Sequence, residues 1–278
     1  MIDLTKDDVK KILGNKENAI DYLLCTKTGK TFKELKMLKS EDIYNLIFEN
    51  LNYDVLHTYV RLTTMKKKYS SSNFLKYCEQ YRQCTQKIKD IYNNNKEWAF
   101  NPSLYEDEQI KTIRKYETLD ESIKNHLIKC EKNLIIKSYN NARSFLFEYF
   151  LIRNNDKILP TLSNSKGVDI YVEKRWDIKN TSGVTKQFKD FYGDEWKSIA
   201  LNNPKIVAEY LYVNQGVERF DSNDRIFIID LSDSINPISK INDICRNLNF
   251  NEVHEINFTK EINGIKNNYT ANAMVLFL

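Results

Sequence analysis

Glycine and proline are scarce in this chain, whose 278 residues contain only seven glycines and four prolines. No glycine occurs from Lys30 through Lys166, and the only prolines in that stretch are Pro102 and Pro160. Because both residue types interrupt helices, so long a segment without them favours helices over hairpins. We therefore predict a large, mostly helical region over residues 1–138. The candidate helices are Lys6–Leu13, Lys16–Leu24, Phe32–Leu38, Ser40–Leu51, Tyr53–Lys67 and Ser72–Asn93, with two or three more between Glu106 and Arg153.

Other absences exclude whole classes of protein. The five cysteines include no Cys-x-x-Cys pair, so they provide neither a disulfide framework nor a zinc site. No apolar run approaches the length of a membrane span, and the N-terminal residues do not resemble a signal peptide. The phosphate-binding motifs Gly-x-x-x-x-Gly-Lys and Gly-x-Gly-x-x-Gly are missing as well, which argues against a nucleotide cofactor. We expect a soluble cytoplasmic protein with reduced thiols.

Charge is nearly balanced, with a formal net charge of +4. Lys and Arg outnumber Asp and Glu in residues 1–138, whereas acids are slightly in excess in residues 139–278. This balance does not by itself demand a nucleic-acid partner. If there is one, the helical region supplies most of the attraction for phosphates.

Apolar and polar residues alternate between Val168 and Lys179. This period of two predicts two short strands with one buried face, joined as a hairpin where Glu173–Arg175 breaks the alternation. With a loop of those three residues, Asp169 faces Lys179 at about 5 Å between Cβ atoms, and Asp177 lies diagonally about 7–8 Å away. Both carboxylates and the ammonium then share the polar face.

Two carboxylates and a lysine on one face suit magnesium chemistry. Mg²⁺ takes hard oxygen ligands, often one or two carboxylates completed by substrate phosphate and water. A lysine beside the metal can stabilise a pentavalent phosphate or help deprotonate an attacking water. The alternative is a solvated surface on which the Asp–Lys pair contributes about 0.2–1 kcal/mol.

A further acid lies in an unusual environment about twenty residues earlier. The segment Ala142–Ile152 is apolar nearly all the way round and predicts a buried helix, yet it contains Glu148. A buried carboxylate is costly unless it is paired, protonated or bound to a metal. Glu148 is therefore either the partner of a lysine or arginine, or a member of the same site.

A helix bearing Glu148, a strand that opens on Asp169 and a strand carrying Asp177-Ile178-Lys179 together resemble the PD-(D/E)xK nuclease core, although Val168 replaces the motif's proline. That core is an αβββαβ unit. The resemblance therefore implies an α/β (α+β) fold with a mixed sheet, and a catalytic domain over residues 139–278. The matching segments are a helix at Ala142–Arg153, strands at 157–162 (an edge, because of Pro160), 168–172 and 176–180, a helix at 204–213 and a strand at 225–231. A helix at 239–248 and strands at 252–258 and 271–277 are expected to extend the sheet.

The resemblance also implies an activity. Asp169, Asp177 and Glu148 would bind Mg²⁺, and these three acids with Lys179 would form the catalytic set. The expected protein is a Mg²⁺-dependent endodeoxyribonuclease acting on double-stranded DNA, most similar to a homodimeric type II restriction endonuclease. Two alternatives stay open: a structure-specific repair or junction nuclease on the same core, and a non-catalytic helical DNA-binding protein.

DNA contacts are expected from two segments. Small polar residues follow the catalytic strand on a predicted loop, and lysines recur every three residues from 27 to 39 with a weak helix-turn-helix character. A plain polar loop and a solvated lysine face are the ordinary alternatives. Residues 1–138 would serve DNA binding, dimerisation or both. The candidate DNA-binding residues are Asn180, Thr181, Ser182, Lys186, Gln187, Lys30 and Lys33.

Overall fold

The computed structural model of the protein describes residues 3–26, 29–94, 121–163, 168–181, 183–215, 222–231 and 237–278, and the side chains of these except at 85–94 and 121–133. The chain divides into two units. The first contains Met1–Ser70, Leu151–Leu231 and Asp243–Leu278, and the second contains Ser71–Phe150 and Ser232–Asn242. This division differs from the predicted boundary after residue 138, because the N-terminal helices belong to the same unit as the strands.

Five helices form the N-terminal part of the first unit: α1 (Lys6–Leu13), α2 (Lys16–Cys25), α3 (Phe32–Met37), α4 (Ser40–Glu49) and α5 (Tyr53–Lys67). Two of them begin at capping boxes, Thr5 with Asp8 for α1 and Thr31 with Glu34 for α3. In each, the side chains at both ends of the first turn satisfy backbone N–H groups that the helix leaves unpaired. These local signals explain why the predicted helix starts are close to the observed ones.

Two long helices follow, α6 (Ser71–Asn94) and α7 (Glu121–Asn154), and most of their length lies in the second unit. Aromatic side chains hold them together there. Tyr77 stacks on Phe145 with ring centroids 4.0 Å apart, and Tyr81 stacks on Tyr139 at 5.1 Å. None of the helices in the described ranges is long and apolar enough to cross a membrane.

The strands of the first unit form one six-stranded sheet, with the order β1-β2-β3-β4-β6-β5. Strand β3 pairs parallel with β4, which pairs parallel with β6, whereas the other neighbours are antiparallel. The predicted α/β fold with a mixed sheet is thus confirmed at this level. Pro160 lies on the edge strand β1, as expected. The strands are β1 (Leu159–Pro160), β2 (Ile170–Val172), β3 (Lys174–Thr181), β4 (Arg225–Ile229), β5 (His254–Ile262) and β6 (Ile265–Phe277).

Four helices lie between or beyond these strands: α8 (Lys186–Tyr192), α9 (Trp196–Asn202), α10 (Pro204–Val213) and α11 (Ile238–Arg246), with a 3₁₀ turn at Gly193–Glu195. Helix α10 was predicted, and Pro204 occupies its first turn. The loop predicted over residues 180–187 is wrong at both ends. Asn180 and Thr181 complete β3, and Lys186 and Gln187 begin α8, whose N-cap is Thr185.

One face of the sheet packs against helices on both sides of β3. Leu159 and Tyr171, on β1 and β2, join the apolar cluster of the N-terminal helices. Phe227 and Ala273, on β4 and β6, join a second cluster formed with α8, α9 and α10. Strand β3 lies between these clusters, and Asp177 and Lys179 in its middle pair in register with Arg225 and Phe227 of β4.

A buried lysine fastens the β5–β6 hairpin to α10. Lys260, 7% exposed on β5, donates hydrogen bonds from Nζ to the carbonyl oxygens of Val213 and Gln215, at 2.6 and 2.7 Å. The last carbonyls of a helix lack partners within the helix, and a cation there also opposes the negative end of the helix dipole. Lys260 therefore caps the C-terminus of α10.

Replacing Lys260 by methionine should lower the free energy of unfolding by about 1–3 kcal/mol, because two partly buried carbonyls lose their charged donor while the apolar stem is kept. Chemical denaturation measures this loss. Lys266→Met is the matched control, since Lys266 is exposed on the other strand of the same hairpin and its replacement should change stability by less than about 0.5 kcal/mol. Equal effects of the two variants would contradict the capping role.

Candidate active site

The β2–β3 hairpin turns at a single residue. Val172 pairs with Lys174 across Glu173, which adopts a left-handed backbone conformation with φ 59°. Tyr171 then faces Arg175, and Ile170 faces Trp176. The predicted three-residue loop is therefore wrong, and the register is shifted by two residues from the predicted one.

This register changes the expected position of Asp169. The paired ladder ends at Ile170 and Trp176, so Asp169 and Asp177 are the residues next to its last pair, and Asp169 is not across from Lys179 as predicted. The backbone N–H of Asp169 donates to the Trp176 carbonyl at 2.9 Å, and the N–H of Ile178 donates to Asp169 Oδ2 at 2.8 Å. Alternation along β3 places Asp177 and Lys179 on one face of the strand. The hydrogen bond from Ile178 brings the Asp169 carboxylate to the same segment of β3.

Asp177 is almost fully buried and lies between two cations. Its Oδ1 is 2.9 Å from Lys179 Nζ, and its Oδ2 accepts a hydrogen bond from Arg225 Nε at 3.2 Å. The side chains of Asp177 and Arg225 are only 4% and 3% exposed, whereas that of Lys179 is 46% exposed. Lys179 thus connects the buried carboxylate with solvent.

Arg225 is a member of this site that the sequence analysis missed. It opens β4 and pairs in register with Asp177, and its guanidinium carbon lies 5.3 Å from the centre of the Tyr212 ring. The Tyr212 hydroxyl donates to the carbonyl of Asn223 at 2.7 Å, which holds the ring beneath the arginine. In the sequence, Arg225 is simply a charge before an apolar run, and only the parallel pairing of two distant strands reveals its partner.

Beside the acid pair, the hairpin is joined to α1 by a second set of charges. Asp8 is buried and forms an ion pair with Arg175 of β3. Burial alone would raise the pKa of Asp8, but hydrogen bonds from Arg175 and Thr5 outweigh it and lower the pKa to about 2. Burial also raises the pKa of the neighbouring Tyr171 hydroxyl.

The low pKa of Asp8 predicts a loss of stability in acid. A carboxyl group whose pKa is lower in the folded state stabilises the fold above its unfolded pKa, which is near 3.8 for Asp8, and loses that contribution as pH falls toward 2. Asp8→Asn should reduce the free energy of unfolding by about 1–2 kcal/mol at pH 7. The difference from the unmodified protein should narrow between pH 4 and pH 2 in urea titrations.

The neighbouring Asp7 provides the control for this titration. Its side chain is 62% exposed, and it pairs with Lys11 on the helix surface at 2.7 Å. Asp7→Asn should change stability by no more than about 0.5 kcal/mol at any pH in this range. If the free energies of unfolding of Asp8→Asn and the unmodified protein differed by the same amount from pH 7 to pH 2, the ionised carboxylate of Asp8 would not be the source of the stabilisation.

Glu148 lies on α7 in the second unit, whereas the other three predicted catalytic residues belong to the first unit. Its side chain is half-buried, not enclosed as the apolar sequence around it suggests. Its assignment as a metal ligand stays a prediction.

The predicted DNA-binding residues fall into different environments. Lys30 and Lys33 are exposed at the start of α3, and Lys186 and Gln187 are exposed in the first turn of α8. Asn180 lies on the face of β3 opposite to Lys179, because neighbouring strand residues alternate. Asn180 is therefore part of the strand, and not of the loop on which it was predicted. Thr181 shares the face of Lys179, and Ser182 is outside the described residues.

The donor set of the site fits a magnesium ion that keeps most of its other ligands from water or substrate. Asp169 and Asp177 offer carboxylate oxygens from the residues next to the last pair of the β2–β3 ladder. No group of three or more His, Cys, Asp and Glu side chains in the described part of the chain is placed to hold a metal. Two carboxylates are within the usual complement that proteins give Mg²⁺ at phosphate-processing sites.

No family model, curated protein or solved structure matches this chain.

Proposed function

We propose that the protein is a Mg²⁺-dependent endodeoxyribonuclease that hydrolyses phosphodiester bonds of double-stranded DNA, with the sequence specificity and homodimeric form of a type II restriction endonuclease. The observation that carries this proposal is the grouping of Asp169, Asp177 and Lys179 at the end of the β2–β3 ladder. Asp169 and Asp177 are next to its last pair, Asp169 accepts a hydrogen bond from the N–H of Ile178, and Lys179 Nζ lies 2.9 Å from Asp177. This grouping resembles the Asp···Asp-x-Lys motif of PD-(D/E)xK nucleases.

The order of the secondary structure supports the same proposal. Helix α7 is followed by β1, β2 and β3, then by helices α8 to α10, and then by β4. That order matches the αβββαβ core, and the parallel pairing of β3 with β4 follows from the helical crossover between them. Asp177 lies on β3 and Asp169 immediately precedes β2, in the order that the resemblance implies.

Each residue of the site has a role in the proposed reaction. Asp169 and Asp177 would hold the metal, and bound Mg²⁺ would polarise the scissile phosphate and lower the pKa of a coordinated water. Lys179, with its ammonium at the solvent side, would orient the attacking water and offset the charge that develops on the phosphate. Arg225 holds the buried oxygen of Asp177 and so fixes its carboxylate plane. In-line attack would leave a 5′-phosphate and a 3′-hydroxyl.

The test is incubation of plasmid and long linear DNA with the protein and Mg²⁺, followed by electrophoresis. We expect cleavage that EDTA abolishes and that Asp169→Asn removes. Discrete fragments would support sequence-specific cutting. A preference for branched or single-stranded DNA would instead indicate a repair-type nuclease. No cleavage of DNA of varied sequence and methylation state would refute the nuclease proposal.

A second candidate is a helical DNA-binding protein in which the acid–lysine cluster is only structural. The observation that favours it is that both oxygens of Asp177 already have cationic partners within the protein. Under this function the protein shifts DNA in gel-retardation assays without cutting it. Lys179→Ala would then change neither DNA binding nor DNA integrity.

A further inference from the structure

Asp177 is contacted at both carboxylate oxygens, by two cations that differ in burial. Arg225 Nε lies 3.2 Å from Oδ2, and Lys179 Nζ lies 2.9 Å from Oδ1. If Asp177 is to bind a divalent cation, one of these oxygens has to change partner. The inference that follows concerns this exchange and rests on the proposed nuclease function.

Arg225 is poorly suited to give up its oxygen. Its side chain is 3% exposed, and its guanidinium is stacked on Tyr212, which is hydrogen-bonded to Asn223. A guanidinium displaced from Asp177 inside the protein would lose its counter-charge without gaining water, which is strongly unfavourable. Oδ2 of Asp177 therefore keeps its contact with Arg225, and Oδ1 is the oxygen that can change partner.

Lys179 can move away easily. Its side chain is 46% exposed, so its ammonium group can exchange Oδ1 of Asp177 for water by rotating about its flexible stem. An ion pair with one solvent-exposed partner contributes little to stability, so little is lost when it opens. The other carboxylate of the site, Asp169, accepts a hydrogen bond from the N–H of Ile178, the residue between Asp177 and Lys179.

We infer that Lys179 occupies the position on Asp177 Oδ1 that a divalent cation takes, so that cation binding and the release of Lys179 are a single exchange. The lysine acts as the resident counter-ion of the acid pair until it is displaced. Once released, its ammonium is next to the bound cation and available to a phosphate. A direct consequence is that Lys179 weakens cation binding to the protein without DNA.

Calorimetric titration with Mg²⁺ tests this competition without using activity. Lys179→Met should bind Mg²⁺ about tenfold more tightly than the unmodified protein, whereas Lys179→Arg, which keeps the charge, should not. Lys174→Met is the matched control. Lys174 lies on the same strand and is 37% exposed, and its ammonium pairs with Asp224 at 2.9 Å instead of with Asp177. Its replacement should change the affinity by less than threefold.

Amine labelling provides a second readout in the unmodified protein. Acetylation by a small anhydride, quantified at each lysine by mass spectrometry, should rise at Lys179 when Mg²⁺ is added and stay constant at Lys174. Equal Mg²⁺ affinities of Lys179→Met and Lys174→Met, or constant labelling of Lys179, would overturn the exchange. If DNA is still cut, only the exchange fails. Absence of Mg²⁺ binding in all variants, together with intact DNA, would overturn the nuclease proposal as well.

Discussion

Replacing Lys179 by alanine is expected to slow cleavage of double-stranded DNA by about 100- to 10,000-fold, the range for removing a group that transfers or positions a proton. Stability should change by less than about 1 kcal/mol, because the ion pair that Lys179 forms with Asp177 has one exposed partner. Single-turnover rates at saturating Mg²⁺ measure the loss, and chemical denaturation measures stability.

Lys174→Ala is the control for this experiment. It removes a lysine of the same strand that also pairs with an aspartate, and it should leave the cleavage rate within about threefold of the original. If Lys179→Ala retained more than a tenth of the original rate, Lys179 would be a surface lysine and not the catalytic one. The pH dependence of the rate at fixed Mg²⁺ would add a check on its role.

Removing the guanidinium of Arg225 is expected to destabilise the protein by about 3–5 kcal/mol. Asp177 and Arg225 are both buried, so Arg225→Met leaves a carboxylate that has lost its buried partner. Urea denaturation measures the effect. The double variant Asp177→Leu/Arg225→Met should recover much of the loss, because no buried charge is then left without its counter-charge and Lys179 is exposed to solvent. Such recovery would distinguish the ion pair from simple loss of packing.

Arg246→Met is a suitable control for Arg225→Met, since Arg246 is 63% exposed at the end of α11 and should tolerate replacement within about 0.5 kcal/mol. A loss below 1 kcal/mol for Arg225→Met would contradict the proposed importance of the buried pair. The same pair also shows that Asp177→Ala is a poor test of catalysis, because it would leave the buried Arg225 without the carboxylate of Asp177 and would weaken the fold. Asp169→Asn and Lys179→Ala avoid this problem.

Helices and their ends could be predicted from the sequence because the signals that set them are local. Thr5 with Asp8, and Thr31 with Glu34, are three residues apart and begin helices at the expected positions. The common face of Asp177 and Lys179 could be predicted equally well, because it depends only on alternation along one strand. The same alternation could have placed Asn180 away from Lys179.

Long-range pairings were harder to predict. The hairpin register depends on Glu173 adopting a left-handed conformation that is more usual for glycine or asparagine, so the residue type gave no signal for so tight a turn. The Asp177–Arg225 pair joins residues 48 positions apart through parallel strands. No local pattern carries that contact. Helices α8 and α9 were not predicted: each has only seven residues, and α8 begins within the segment that was read as a polar loop.

The turn at Glu173 also determines where this hairpin can change in length during evolution. Residues inserted at Glu173 would lengthen the loop and leave the pairs between β2 and β3 unchanged, whereas one residue inserted between Tyr171 and Val172 would turn the side chains before it to the opposite face of the sheet. Homologous hairpins that keep both acids are therefore expected to vary in length at the loop and not within the paired strands. A single insertion within a strand would have to be absorbed by a bulge or would separate the acids.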